Sequence, residues 1–227
     1  MKFLKINLKA ISNIFLISSV PLVSWSSKKA NNFKPKFLTL SYLCFGLLIF
    51  GLGESLLVVS EYGVAPWTVL AEGVAKKINV GIGLSTFLIS VIVFALWIPL
   101  KLKPGIGTIM NIIIIAVTMG ISIPLLSFLN NILNGLTLAI LGTLFVGFGS
   151  GIYLIANLGP GTRDGLMTGL SKKYTKPISL VRLSIELSVI FLGWSLGGTL
   201  GIGTVIFAVF IGPSVVLSLR VISFLNK

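Results

Sequence analysis

The sequence predicts an all-α, polytopic membrane protein with six transmembrane helices. Its residues are 55% hydrophobic and only 10% charged, and its mean hydropathy is +1.06, which is too apolar for one soluble core of this length. Its apolar stretches are each close to the ~20 residues that a spanning helix needs, and they lack the alternation typical of transmembrane β-barrels. The predicted spans cover residues 38–60, 80–100, 105–126, 133–157, 178–196 and 203–224.

The first 36 residues are expected to form a basic segment ahead of a membrane domain at residues 37–227. Three lysines precede an apolar stretch at residues 11–25, which favours a helix on the cytoplasmic membrane surface with its basic residues among lipid headgroups. A cleaved signal peptide is disfavoured because the stretch contains Pro21 and lacks a clear small-residue cleavage site. A seventh span is left open.

The basic residues predict the orientation of the six spans. The chain has 18 Lys and Arg against 5 Asp and Glu, a net charge of +13. With six crossings, nearly all basic residues of the connections fall on the side of the N-terminal segment, and Lys76 and Lys77 fall on the other side. The positive-inside rule then places both ends of the six-helix domain in the cytoplasm. Topology and anionic lipid account for the basic excess, so nucleic acid is not an expected partner.

A shift of 96 residues superimposes the sequence on itself. The tetrapeptide GIGT occurs at Gly105–Thr108 and again at Gly201–Thr204. The same shift also aligns, without a gap, Lys76-Lys77 on Lys172-Lys173, Gly46 on Gly142, Gly51 on Gly147, Gly53 on Gly149, Gly63 on Gly159, Leu70 on Leu166, Gly73 on Gly169, Ile82 on Ile178 and Leu84 on Leu180. We therefore predict two repeats, residues 42–120 and 138–216, with three spans each. Because three is odd, the second copy must enter the membrane in the opposite sense, as an inverted-topology repeat.

Each repeat also contains a short segment between its first two spans. The segments read VAPWTVLAEGVAKK and PGTRDGLMTGLSKK, and about fourteen residues are too few to cross a bilayer. Pro66 suits the first turn of a helix, and Thr162 or Asp164 can cap the start of the second helix. We expect a short helix in each repeat.

These short helices are predicted to be either re-entrant or interfacial. A re-entrant helix would bring free N–H groups and the positive end of its dipole into the membrane, where several transporters use such ends to hold anionic groups. Gly159 and Gly161 would then allow close backbone approach. An interfacial helix would instead lie flat, with its lysines among the headgroups.

The ionisable residues of this region are concentrated in the second repeat. Where the second repeat has an Arg-Asp pair, the first has Trp and Thr, and the fifth span adds an Arg and a Glu. The candidate substrate or gating residues are Arg163, Asp164, Arg182, Glu186, Gly159, Gly161, Trp67 and Thr68.

The four charged candidates are expected to form one network. Arg182 and Glu186 are four residues apart and share one helix face, so they can also pair with each other. Glu186 lies about eight residues into a span, where a carboxylate is costly to expose to lipid. The simplest network pairs Arg163 with Glu186 and Asp164 with Arg182. Such a network is either a structural clamp or a gate that opens on protonation or on arrival of a substrate charge.

Two further glutamates lie near the outer end of the first span. Glu54 and Glu61 are seven residues apart and therefore share one helix face, which makes them candidates for an external vestibule or for an interfacial position. The chain has no histidine and only Cys44, so an intrachain disulfide, HExxH zinc sites and His-assisted nucleophiles are excluded. The GFGSG stretch around Ser150 therefore indicates helix packing. No catalytic residue, metal site or cofactor is expected.

Four stretches carry a more specific pattern: GVAPWTVLAEG, LGPGTRDGLMTGL, VRLSIE and GWSLGGTLGIGTVIFAVFIGP. Together they resemble the bacterial YczE/YyaS/YitT-type integral membrane proteins, over roughly residues 38–224. The family pattern more often has Pro where Thr162 stands and Asp where Thr68 stands, which weakens the case for a charge in the first repeat. The resemblance implies a plasma-membrane protein for which transport is suspected and no reaction is established.

We therefore predict a secondary transporter or exporter of a small solute, with the charged network as gate or clamp. The alternative is a membrane scaffold or regulator that binds a protein partner without transporting a solute. The step from inverted repeat to transport rests on analogy, because a fold does not determine a function. The lipid bilayer is the first expected partner, and a homo-oligomer or a protein partner is left open. No enzymatic activity is expected, since the sequence has no metal cluster, nucleotide loop or acid–base pair.

Overall fold

The computed structural model describes residues 20–226, which form α-helices joined by short connections and contain no β-strand. The helices are α1 (Phe37–Ser60), α2 (Pro66–Ile78), α3 (Ile82–Ala95), α4 (Ile106–Leu126), a short 3-10 helix (Ser127–Asn131), α5 (Gly135–Ala156), α6 (Thr162–Tyr174), α7 (Ile178–Ser195) and α8 (Ile202–Leu225). The prediction of an all-α fold is confirmed over these residues.

Five helices are long and apolar enough to cross a membrane, namely α1, α4 with its 3-10 extension, α5, α7 and α8. Helices α2 and α3 provide a sixth candidate only as a pair, because their axes bend by 112° at the break between them. The described residues thus contain five candidate membrane spans, or six if the bent pair counts as one. The predicted number of six is the upper of these two values.

The second predicted span, residues 80–100, is less regular than expected. Its helix α3 has only 14 residues, after which the chain turns, with the Trp97 N–H donating to the Phe94 carbonyl at 3.0 Å. Pro99 has no N–H and cannot continue the helix. The Trp97 side chain is 2% exposed and packs inward, so the end of this predicted span is a turn that contributes to the core.

The predicted surface helix at residues 11–25 lies mostly outside the described residues. From residue 20 onward the chain runs to α1 in turns and bends. Trp25 is 6% exposed and belongs to the largest apolar cluster of the bundle, and the Ser27 N–H donates to the Ala156 carbonyl at 3.0 Å. The end of the predicted basic segment therefore packs onto the ends of α1 and α5.

The 96-residue shift is also present in the backbone. Helices α6, α7 and α8 begin 96 residues after α2, α3 and α4, since their first residues are 162, 178 and 202 against 66, 82 and 106. The described residues with a left-handed backbone form four pairs with the same separation: Glu61 with Asn157, Gly63 with Gly159, Asn79 with Thr175, and Lys101 with Gly197. The turns therefore repeat along with the helices.

Helices α1 and α5, one from each predicted repeat, cross in antiparallel orientation at glycines. Gly46 lies opposite Gly149, and Gly53 lies opposite Gly142. A Cβ atom on Gly53 would lie 2.6 Å from the Gly142 carbonyl oxygen, so no larger residue fits without moving a helix. In lipid, where apolar burial does not drive helices together, such close packing is a main source of helix association.

The outer faces of the bundle are apolar. Large apolar side chains that remain exposed on α3, α4, α7 and α8 include Phe87, Ile92, Val117, Ile121, Phe191, Trp194, Val209 and Phe210. An exposed apolar surface of this extent is unusual for a soluble monomer and indicates contact with lipid. Several polar side chains lie inside instead, among them Glu54, Thr68, Thr86 and Thr143, each at most 2% exposed.

We expect Gly53→Ala to destabilise the folded protein. The added methyl group would contact backbone atoms of α5, which cannot move as a flexible side chain can, and overpacking of this kind typically costs about 1–3 kcal/mol. The measurement is the thermal unfolding midpoint of the purified protein in detergent.

Gly120→Ala is the matched control, since its Cβ would meet only the Gly83 Cα at 3.9 Å and alanine favours a helix over glycine. We expect Gly120→Ala to leave the midpoint unchanged or raise it. Equal midpoints for the two variants would contradict a tight α1–α5 crossing.

Candidate functional site

A cavity of about 310 Å³ lies where the first turns of α2 and α6 approach each other inside the bundle. Its wall combines apolar side chains, most of them from α1, α4, α5 and α8, with polar side chains from each helix from α1 to α7. At its centre the Arg163 Cζ lies 5.2 Å from the centre of the Trp67 ring. Trp67 and Arg163 are 96 residues apart, so each occupies the same position in its own repeat.

Glu54 is one of the most deeply buried polar residues in this wall. It is 1% exposed, and its Oε2 accepts a hydrogen bond from the Thr68 hydroxyl at 2.7 Å. Its other oxygen, Oε1, is buried and has no hydrogen-bond partner among the described residues. A buried polar atom left unpaired costs about 1–3 kcal/mol, so a hydrogen-bond donor to Oε1 would stabilise the structure.

Trp67 and Arg163 both present donors to the same space. The Trp67 Nε1 is buried and has no partner among the described residues. Arg163 forms no hydrogen bond or ion pair there either, and its guanidinium group is held by the Trp67 ring and by electrostatic attraction to Glu54 and Asp164. A cation–π contact at this distance stabilises a cation without using its N–H groups.

Asp164 bonds to a tyrosine rather than to an arginine. The Tyr153 hydroxyl donates to Asp164 Oδ2 at 2.7 Å, and the Tyr153 ring packs edge-on against Phe50 with 6.4 Å between ring centres. This contact joins the end of α5 to the first turn of α6. It directs the Asp164 carboxylate toward the cavity.

The predicted cross-pairing of the four charges is wrong. Arg182 Nε lies 2.8 Å from Glu186 Oε1, so these two residues of α7 pair within one helix, as their spacing also allowed. Within the described part of the chain, Arg163 and Asp164 form no salt bridge with either of them. A pair one turn apart needs no rearrangement between helices. Asp164 accepts a hydrogen bond from the Tyr153 hydroxyl instead of pairing with Arg182.

The cavity nevertheless brings most of the predicted gating residues together. The residues that line it are Trp67, Gly161, Arg163, Asp164, Arg182 and Glu186. Thr68 does not line it but donates a hydrogen bond to Glu54, which does. Gly159 does not line it. With φ of +112° and a Cβ position 2.8 Å from the Thr108 hydroxyl oxygen, Gly159 is a turn residue that permits close approach to the start of α4.

The two predicted vestibule glutamates lie in different places. Glu54 lines the central cavity, whereas Glu61 is exposed and borders a separate, more open cavity of about 570 Å³ with Glu72 and Lys76. They separate because α1 ends at Ser60, and Glu61 has a left-handed backbone that turns it away from the face of Glu54. The assumption of one continuous helix face does not hold at this point.

Sequence reasoning did not identify Tyr153, and it assigned Glu54 to the wrong surroundings. A usable signal was present, because Glu54 directly follows Gly53 and falls on Ser150 under the 96-residue shift, within the glycine-rich crossing of α1 and α5. That position predicts a side chain facing the bundle interior. In the described residues, no three acidic or cysteine side chains come together to hold a metal ion.

Two sets of contacts tie the start of α6 and the end of α2 to neighbouring connections. The Trp97 Nε1 donates to the Thr162 carbonyl at 3.0 Å, which ties the connection after α3 to the start of α6. Near the end of α2, Lys76 Nζ donates to the Gly197 carbonyl at 2.6 Å, and the Thr199 N–H donates to Glu72 Oε2 at 2.8 Å. These contacts tie α2 to the connection after α7.

Comparison with known proteins identifies relatives along most of the chain. A family described as being of unknown function, DUF6198, matches residues 37–220. An uncharacterized protein of Haemophilus influenzae is 42% identical over 204 residues, covering 90% of this chain and 93% of the relative. In Bacillus subtilis, the uncharacterized membrane protein YczE is 28% identical over 169 residues (74% of this chain, 79% of the relative), and the uncharacterized protein YyaS is 30% identical over 172 residues (73% and 84%). The resemblance to YczE and YyaS is confirmed, and no solved structure matches significantly.

We expect Thr68→Val to destabilise the protein by about 1–3 kcal/mol, because it removes the hydrogen bond that Glu54 receives from a described residue. The same substitution in a Glu54→Leu background should cost less, since no buried carboxylate then needs the hydroxyl. Thermal unfolding of the four variants of this cycle gives the coupling energy.

Ser184→Ala is the control for loss of a hydroxyl, because Ser184 is exposed and bonds only to the carbonyl one turn earlier. Equal costs of Thr68→Val in both backgrounds would contradict the Glu54–Thr68 contact.

Proposed function

We propose that this chain, which belongs to the DUF6198 family of unknown function, is a secondary transporter or exporter of a small solute that binds in the central cavity. The observation that carries the proposal is the set of buried, unpartnered polar groups around that cavity. Glu54 Oε1 and Trp67 Nε1 lack partners among the described residues, and the Arg163 guanidinium forms no ion pair or hydrogen bond with them.

Polar groups of this kind need a physical reason to persist inside an apolar bundle. Burying a polar group without a hydrogen bond is costly, and burying an unpaired charge costs more. Ionisable residues within membrane-embedded regions commonly mark solute or ion pathways. A cavity whose wall holds such groups gives them partners, because water and a solute can bind to them in turn.

We further propose that the two repeats have inverted topology and are related by a pseudo-twofold axis in the membrane plane. The shared helix starts, the paired left-handed turns and the antiparallel crossing of α1 and α5 support this symmetry. Trp67 and Arg163 occupy equivalent positions and touch each other, which happens when residues lie close to such an axis. Transporters with inverted repeats bind their solutes near the membrane midplane, at the repeat interface.

Such a symmetry allows alternating access, in which the other helices would move against the glycine crossing of α1 and α5, so that the cavity opens to one side of the membrane at a time.

The proposed location is the bacterial inner membrane, with both ends of the helical domain in the cytoplasm. The distribution of lysines supports this orientation, since Lys76 and Lys77 end α2 whereas Lys172 and Lys173 end α6. In this arrangement α2 and α6 are re-entrant helices whose first turns lie deep. The burial of Pro66, Trp67 and Thr68, against the exposure of Lys76 and Lys77, supports that tilt.

Alternating access predicts that cavity positions react with a charged, membrane-impermeant thiol reagent from either side of the membrane. In a Cys44→Ser background we expect Ser90→Cys and Ser150→Cys, which line the cavity, to be modified from outside and from inside. Val209→Cys is the control, because Val209 is 58% exposed on the outer face of α8 and should be protected by lipid.

Modification from one side alone would contradict alternating access. A sealed scaffold would leave both serine positions unmodified.

The inverted repeat predicts opposite sidedness for equivalent positions. In the same background we expect Lys77→Cys to be labelled only from outside and Lys173→Cys only from inside, although both lysines are exposed and lie 96 residues apart. The measurement is labelling of intact cells compared with inverted membrane vesicles. Labelling of both positions from the same side would rule out inverted topology.

A further inference from the structure

We infer that the solute of the central cavity is a small zwitterion with an apolar body, whose anionic group binds at Arg163 and Trp67 and whose cationic group binds at Glu54. This inference rests on the proposed transport function and gives it a substrate class. It follows from which atoms of the cavity wall lack partners and from the separation of their charges.

The Trp67 and Arg163 side chains offer donors to the cavity. An indole Nε1 and a guanidinium group have no acceptor atoms, and in Trp67 and Arg163 neither is paired with a described residue. The first turns of α2 and α6, where these side chains are attached, add the positive ends of two helix dipoles. An acceptor with negative charge is the matching partner, and a carboxylate matches the planar fork of a guanidinium group.

Another part of the cavity offers an acceptor. An ionised carboxylate accepts hydrogen bonds through both oxygens, and the Thr68 hydroxyl satisfies only Oε2 of Glu54. Oε1 is buried without a partner among the described residues. An ammonium group of the solute would supply a donor and neutralise the buried charge.

The two charges are not positioned to satisfy each other. Glu54 and Arg163 attract one another electrostatically, but their nitrogen and oxygen atoms form no salt bridge. Glu54 is buried and Arg163 is partly buried. A solute with one charge would pair with one of them and leave the other without an ion-pair partner. A solute with both charges, separated by a short distance, would satisfy the two together.

The remaining charges of the wall form other contacts. Asp164 is exposed and accepts from the Tyr153 hydroxyl through Oδ2, and Arg182 and Glu186 pair with each other. Apolar side chains make up much of the rest, including Phe50, Ile115, Met167, Phe207 and Val215. A volume of about 310 Å³ is at the small end for ligand pockets, so the solute has a small, largely apolar body.

Three probes that share one carbon skeleton test the charge requirement. L-leucine carries both charges, 3-methylbutylamine carries only the cation and 4-methylpentanoate carries only the anion. Binding is measured for the full chain in lipid nanodiscs, as the rise in unfolding temperature over a concentration series. We expect L-leucine to bind at least about tenfold more tightly than either analogue. Equal binding of the amine would overturn the anionic subsite, equal binding of the acid would overturn the cationic subsite, and no binding of L-leucine would overturn the substrate class.

Two variants locate the binding. Glu54→Gln should weaken L-leucine about tenfold or more, and Trp67→Phe, which keeps the ring and removes the N–H, should weaken it to a smaller degree. Glu72→Gln is the matched control, because Glu72 is also buried, at 6% exposure, but borders the other cavity. If Glu54→Gln fails to fold, Trp67→Phe and Glu72→Gln still give the comparison. Equal affinities in these two variants would place the zwitterion elsewhere.

This test and the cysteine accessibility test fail in different ways. Cavity cysteines that react from both sides, together with no preference for L-leucine, would leave transport standing and overturn only the zwitterion. Cavity cysteines that the reagent modifies from neither side would overturn transport, because L-leucine could then not reach the cavity from either side of the membrane.

Discussion

The close antiparallel packing of α1 against α5 is the contact on which the rest of the arrangement depends. Four glycines bring the two backbones together, with Gly46 opposite Gly149 and Gly53 opposite Gly142. The outer flanks of this pair then accept α4 and α8 in matching ways, since Gly51 meets Thr118 of α4 and Gly147 meets Ser214 of α8. In lipid this packing needs small residues, because no hydrophobic force draws two apolar helices together.

The connections that follow α1 and α5 turn this crossing into a site. Gly63 and Gly159 have left-handed backbones, and the residue before each accepts a hydrogen bond from the first turn of a helix in the other repeat. The Gly203 N–H donates to the Tyr62 carbonyl at 2.7 Å, and the Gly107 N–H donates to the Leu158 carbonyl at 2.8 Å. These exchanged contacts fix the starts of α2 and α6, which therefore face each other across the central cavity.

The helix starts and the left-handed turns around the site recur at a separation of 96 residues, whereas the side chains of the site differ between the equivalent positions. Trp67 corresponds to Arg163, and Glu54 corresponds to Ser150. One repeat therefore supplies the buried acidic residue, and the other supplies the basic residue. A site built from identical repeats would present the same groups twice. Divergence of equivalent positions is what separates an acceptor from a group of donors within one small cavity.

The sequence by itself determined the fold class, the positions of most helices, the 96-residue repeat and five of the residues around the cavity, namely Trp67, Arg163, Asp164, Arg182 and Glu186. These features are local or periodic, because apolar length predicts a span and a constant shift exposes a repeat. Only the tertiary structure decided which polar groups meet. Arg182 paired with Glu186 rather than across helices, and Asp164 took the Tyr153 hydroxyl. Glu54 entered the central cavity while Glu61 did not, because α1 ends between them. Partner choice depends on the angle at which helices cross and on where each one ends, and both are consequences of packing that residue spacing along the chain does not contain.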